Sequence, residues 1–375
     1  MMKLVFKSMA LVLALTLINC TASAEDFGRR EYTKTEKKEF DIASNGTTYL
    51  SNKYGKVDVK TWDRNRVKVS VNIIVNASSE ERANEVFERI SINFSNAADY
   101  VKVSTDIESK KSSWWKWSSG DKSDYRINYE VYLPATNNLD IAHKYGDVYV
   151  ASMRGKVDLD LKYANFKVES IGDDSNINFA YGNGAIVTAK DLNSNVAYGK
   201  LNVETAGDIS LESKYSQVWI EKAGDVRCET KYDTYRLGDI NDFKNYGKYD
   251  NFSIDDADNV TLQSKYSSIK VTDVAEDVDL DMEYGSAEYG LSSNFSEVSM
   301  NGKYTSFKVA VPSNANYRLD AVSTYAGINY PDNLEVTREI RKSSSQEVKA
   351  YKGAENTAAI IRATLNYGGL KIRVN

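Results

Sequence analysis

A tyrosine recurs at an almost fixed interval through the middle of this chain, and no other feature limits the fold so sharply. The series is Tyr145, Tyr163, Tyr181, Tyr198, Tyr215, Tyr232, Tyr249, Tyr266, Tyr284, Tyr304 and Tyr325, in steps of 17 or 18 residues that lengthen to 20 and 21 at the end. Gly, Ala, Ser, Asp or Thr follows each one, and Lys often precedes it. Between tyrosines the residues alternate apolar and polar, as in Val157-Asp-Leu-Asp-Leu-Lys-Tyr163, Val260-Thr-Leu-Gln-Ser-Lys-Tyr266 and Val278-Asp-Leu-Asp-Met-Glu-Tyr284. That period of two describes a strand with one buried face. A second short strand follows the tyrosine turn, for example Ser216-Gln-Val-Trp-Ile-Glu221, and then a second turn such as Ala206-Gly207-Asp208.

A unit this short cannot bury its apolar face alone. Stacking successive units buries a continuous core, which is the logic of a solenoid. The expected fold is therefore all-β: a β-solenoid of parallel coils of about 17–18 residues, with one short helix near the N-terminus. At about 4.8 Å per coil the tyrosine array spans a rod of roughly 50 Å. Residues 135–311 contain no proline, as a continuous hydrogen-bonded stack requires. An antiparallel meander would instead need tight hairpins between equal strands. Period two assigns the tyrosines to the inward face, which predicts an internal ladder of stacked rings with hydroxyls reaching the surface. A row of rings binding sugar faces is the functional counterpart. The lysines before them (Lys144, Lys162, Lys214, Lys231, Lys248, Lys265, Lys303) form an outward stripe, offset by acids such as Asp160, Glu212 and Glu229.

The flanks read differently. Lys3 and Lys7, an apolar run from Met9 to Ile18 and Ala22-Ser-Ala24 compose a signal peptide over residues 1–24. Within it Leu17-Ile-Asn-Cys20 resembles a lipobox with Asn19 where a small residue is usual, so Cys20 is a lipidation candidate against ordinary cleavage after Ala24. The expected destination is the periplasm, the outer-membrane surface or the medium. Residues 25–38 read as a flexible lead-in. Residues 39–138 form a β-rich region with first coils, 139–330 the regular repeats, and 331–375 closing coils. Strands are expected near 47–51, 56–61, 66–75, 90–95, 100–107 and 125–133. Ser78-Ser-Glu-Glu81 reads as a capping box opening a helix through about Arg89. Tyr54-Gly55 already carries the tyrosine-turn signature, as does Tyr367-Gly-Gly369 between the two last strands.

Few residues offer chemistry. The single histidine, His143, removes multi-histidine metal sites, and 48 basic against 53 acidic side chains argue against a nucleic-acid partner. No cofactor or metal is expected; Asp255, Asp256 and Asp258 lack a calcium-repeat pattern. Cys228 lies at an inward strand position and reads as a small buried hydrophobe. The acids Asp158, Asp160, Asp279 and Asp281 alternate outward, as on a solubilising face, and no spacing selects a catalytic pair. Trp114, Trp115 and Trp117 cluster in one Ser- and Lys-containing loop. They read either as a ligand-binding patch or as a cover for the open end of the stack.

The exported precursor, the opening Gly55-Lys-Val-Asp-Val-Lys-Thr-Trp-Asp63 and the Tyr-Gly-Asp/Lys-Val-x-Val repeats resemble the bacterial putative-adhesin family, kin to the auto-transporter head domain called GIN. The resemblance covers nearly all of residues 40–375. It implies a right-handed parallel β-helix on an exported envelope protein and transfers no active site. The function expected is non-enzymatic binding of a glycan or envelope protein through the side face or the tryptophan loop. A periplasmic scaffold with a protein partner and a polysaccharide-active β-helix enzyme are the rivals.

Overall fold

The computed structural model describes residues 29–108, 124–172 and 175–375. Among these the chain is all-β apart from one helix, Glu80–Glu88. The segment expected to be a signal peptide, with Cys20, and the segment expected to be a loop, with Trp114, Trp115 and Trp117, lie outside the described residues.

Each repeat contributes two strands joined at the tyrosine. The first strands, from Asn138–Lys144 through Val157–Lys162, Ser175–Ala180, Leu192–Ala197 and Ile209–Lys214 to Val226–Lys231, pair in parallel with their equivalents one repeat away. The second strands, among them Phe166–Ile171, Asn183–Ala189, Lys200–Ala206 and Gln217–Lys222, do the same. Registers repeat with the sequence interval, Asp158 opposite Asn176 and Leu192 opposite Ile209. From Thr234 onward the second corner straightens, and the strands Thr234–Lys248, Asn251–Lys265 and Ser268–Glu283 each run through both positions. Inward residues such as Leu159, Leu161, Ile177, Phe179, Val203 and Leu262 are buried. Each such side chain stabilises by about 1.5–3 kcal/mol relative to exposure.

The N-terminal region is an elaborated first coil. Thr47–Lys53 pairs in parallel with Asn138–Lys144, and Val57–Trp62 with Val148–Val150. The intervening chain inserts Arg66–Ala77 and Asp124–Pro134, paired antiparallel, and the hairpin Ile90–Asn96/Tyr100–Ile107. Ser79, not Ser78, caps the helix: its Oγ accepts from the Arg82 amide at 3.3 Å. With Arg82 at the third helical position, the reciprocal carboxylate of a capping box is absent. Ala83 and Val86 turn inward.

Two stretches without apolar alternation are ordered by backbone pairing. Arg30–Asp41, which takes in most of the lead-in expected over residues 25–38 and runs three residues past it, is a strand paired antiparallel along its full length with Arg66–Ala77. Its sequence shows no period of two because one edge and most side chains face solvent. At the other end Glu335–Lys342 and Ser345–Lys352 form a hairpin laid antiparallel on Tyr317–Asn329. The final strand, Ile360–Val374, does not close the stack. It inserts between Glu297–Val311 and Tyr317–Asn329, parallel to both. The charged hairpin is what blunts the open end.

Candidate functional site

The tyrosines form an external row, and this corrects the internal ladder expected from parity. All eleven, together with Tyr54 and Tyr367, have φ between 52° and 64°. Among the described residues they are the only non-glycine residues with positive φ. A left-handed residue breaks the period-two alternation and swings its side chain out of the strand plane. The inward slot then passes to the next residue, and Ala164, Ser216, Asp233, Asp250, Ser267 and Thr305 are buried there. This is why a small or turn-forming residue follows each tyrosine. The hydrogen-bonded stack continues through the corner: the Tyr163 amide donates to the Ala180 carbonyl at 3.0 Å, and that of Tyr232 to Lys248 at 3.1 Å.

The rings stack face to face at centroid distances of 4.6–5.2 Å and interplanar angles of 9° or less, from Tyr54 on Tyr145 to Tyr304 on Tyr367. Tyr325 ends the row, stacked on Tyr367 at 5.0 Å because the last strand inserts there. Twelve such steps make a row about 60 Å long. Each ring is 39–60 % exposed. Stacking occupies the ring faces, so the row offers solvent a line of edges and hydroxyls, and sugar rings cannot lie flat on its interior members.

Beneath the central rungs runs a buried polar ladder. Asp233 accepts from Ser213 Oγ at 2.8 Å and from the Ser216 and Lys231 amides at 2.6 and 2.9 Å. Asp250 accepts from Thr230 Oγ1 at 2.8 Å and from the Asp233 amide at 2.9 Å. Burial, partly offset by these donors, raises the Asp233 carboxyl and pushes Asp250 up to about 6. Beside the row lies an open groove parallel to the stack. Tyr232, Tyr249, Tyr266 and Tyr284 form one wall, and Thr234, Asn251, Ser268 and Ser286 the other.

On the opposite side of the corner, Lys214, Lys231, Lys248 and Lys265 stand in direct register, and Lys265 pairs with Glu283 at 3.1 Å. The outward acids do not converge on one point. Asp158 accepts from Asn176 at 2.7 Å and Asp281 from Asn301 at 3.3 Å, each one repeat away. His143 is buried in its strand, and burial lowers its pKa from the usual imidazole value. Cys228 is buried, and burial drives its thiol far above the ordinary range. Among the described residues no cluster of three or more potential metal ligands occurs, Asp255, Asp256 and Asp258 included, and no helix is long and apolar enough to cross a membrane. Trp219, an outward residue of the strand Gln217–Lys222, is exposed on the outer sheet face.

No family model matches the chain, and no curated protein does. Among solved structures it is similar to a putative cell adhesion protein from Clostridium sporogenes, at 10% identity over 92% of this chain and 100% of that one, with a TM-score of 0.22. It is also similar to a putative adhesin from Bacteroides fragilis, at 12% identity over 91% and 97% with a TM-score of 0.25. A putative lipid binding protein from Parabacteroides distasonis matches at 10% identity over 90% and 96%, with a TM-score of 0.23.

Proposed function

We propose that this protein is an exported, non-enzymatic binding module of the cell envelope, built as a right-handed parallel β-helix. It holds an extended glycan or protein segment in the groove beside the tyrosine row. The observation that carries the reading is the groove itself. It runs along the stack, has ring edges and phenol hydroxyls on one side and hydroxyl and amide side chains on the other, and repeats from coil to coil. A linear polymer meets the same chemistry at each step, so weak contacts add along its length. The outward acids, tied into columns by asparagines, support a binding role over a hydrolytic one. Trp114, Trp115 and Trp117 are a second candidate surface.

Purified protein applied to a glycan and extracellular-matrix array tests this, beside Ser286→Arg, which obstructs the groove from an exposed position, and a Trp114/Trp115/Trp117→Ala triple variant. Binding lost in Ser286→Arg and retained in the triple variant is the expected result. Loss in the triple variant alone would move the site to the tryptophan loop. No binding to any glycan or matrix protein would overturn the reading in favour of a scaffold. Protease accessibility of the folded protein on intact cells separates surface display from a periplasmic location.

A further inference from the structure

The outer face of the second-strand sheet carries a concavity of about 720 Å³ around Trp219, next to the tyrosine groove and sharing Thr234 and Asn251 with it. It exists because short side chains replace long ones. Thr234, Gly238 and Ser253 leave a floor that Trp219, Arg236, Glu221 and Asp255 surround. Trp219 lies in register between Asn202 of one coil and Arg236 of the next. Lys200 Nζ sits 3.3 Å from the indole centroid, and the Arg236 guanidinium is 5.6 Å from it. The indole is 37% exposed. Trp219 is the one tryptophan of the repeat array.

The polar groups here are not spent on one another. Among the described residues Arg236, Glu204, Glu221 and Asp255 form no ion pair, although Lys222 in the same strand as Glu221 pairs with Asp239 and other outward charges pair across coils. Asn202 Oδ1, also in the lining, is closed to solvent and receives no hydrogen bond. The set therefore combines carboxylates outside any ion pair, a planar guanidinium whose neighbour is the indole, and an aromatic surface. A simple anion would meet the three carboxylates of Glu204, Glu221 and Asp255, and a simple cation would meet Arg236 in the lining and Lys200 beside it. A neutral polyhydroxyl ring suits both signs of charge, because each hydroxyl both donates to a carboxylate and accepts from the guanidinium, while its C–H groups pack on the part of the indole that Lys200 leaves exposed.

We infer that the Trp219 concavity is a subsite for one neutral pyranose unit of an oligosaccharide. This rests on the proposed binding function and names its ligand class. Chain continuing from the unit would leave along the Asn251 side into the tyrosine groove.

The test titrates the purified protein with maltohexaose, cellohexaose and hexameric N-acetylglucosamine by calorimetry and tryptophan fluorescence, with hexagalacturonate and hexameric glucosamine as charged probes. At least one neutral hexamer should bind, and both charged probes should bind about tenfold or more weakly. Trp219→Ala and Ser253→Arg, the latter a surface change that fills the concavity, should each weaken binding at least about tenfold with circular dichroism unchanged. A charged probe that binds best overturns the inference. So does binding that survives both variants, or the absence of saccharide binding at millimolar concentration. Saccharide binding that survives both variants but is lost in Ser286→Arg sinks the subsite and leaves the groove reading intact. Protein-only ligands on the array would do the same.

Discussion

Tyr232 sits mid-row, stacked on Tyr215 at 4.8 Å and on Tyr249 at 4.6 Å, with φ of 62°. Truncating it to alanine removes two aromatic stacks, together about 2 kcal/mol. It also re-exposes roughly 100 Å² of apolar surface, about 2.5 kcal/mol at 25 cal/mol per Å². The backbone strain is unchanged, because alanine tolerates the left-handed region no better than tyrosine does. The expected loss is about 3–5 kcal/mol. Glycine removes the same contacts but releases about 1–2 kcal/mol of left-handed strain. It returns about 0.5–1 kcal/mol through the greater freedom of the unfolded chain. Tyr232→Gly should therefore be less destabilising than Tyr232→Ala by about 0.5–1 kcal/mol, the reverse of the order in an ordinary strand. Tyr325 is 60% exposed and stacks on one neighbour only, so Tyr325→Ala should cost about half as much as Tyr232→Ala. Equilibrium urea unfolding of the three variants, compared by midpoint at a common slope, measures these differences. A glycine variant less stable than the alanine variant, or equal losses at Tyr232 and Tyr325, would refute the claim that stacking offsets strain at each corner.

The buried carboxyl of Asp250 gives a pH signature. Its folded value of about 6 lies above the ordinary 3.8, so its contribution is fully present below pH 4 and is lost as pH rises through 6. Relative to Asp250→Asn, the wild type should gain about 2.4 kcal/mol between pH 7 and pH 4; thermal denaturation of both proteins across that range checks it, and a parallel pH dependence would sink it. Cys228 should resist iodoacetamide in the native state and react only once denaturant unfolds its coil, which mass spectrometry of the labelled protein reads directly. Ser79→Ala should cost about 1 kcal/mol through loss of the helix cap, with no change at the tyrosine row, as urea unfolding and near-ultraviolet circular dichroism together would show.

Much of the fold is legible locally because each repeat declares its own period. Alternation marks Val157–Lys162 or Val278–Tyr284 as one-sided strands without reference to neighbours. The recurrence of tyrosine fixes which residues of successive coils stand side by side. Tyr54 and Tyr367 were readable as turn signatures, yet their places as rungs depend on pairings with chain about 90 and 60 residues away. Arg30–Asp41 was not legible as a strand, because an edge strand held by backbone hydrogen bonds needs no apolar side. Trp219 passed unnoticed because an outward indole in an alternating strand looks like any other outward residue until the short side chains around it are placed in space.

The sequence by itself determined the repeat length and the strand pattern, since these depend on chain neighbours only; the small residue after each tyrosine is visible in the sequence, but its reason lies in the buried slot against the next coil. The direction of the tyrosines was decided at the corner. A positive φ inverts the parity that alternation predicts, and the rings become an outer row. The order of the last rungs was likewise decided in three dimensions. Ile360–Val374 finds two parallel partners by inserting behind Tyr317–Asn329, whereas at the end of the stack it would find one. Local pattern sets what each segment can become. Which unpaired edges it satisfies depends on where the rest of the chain has left them.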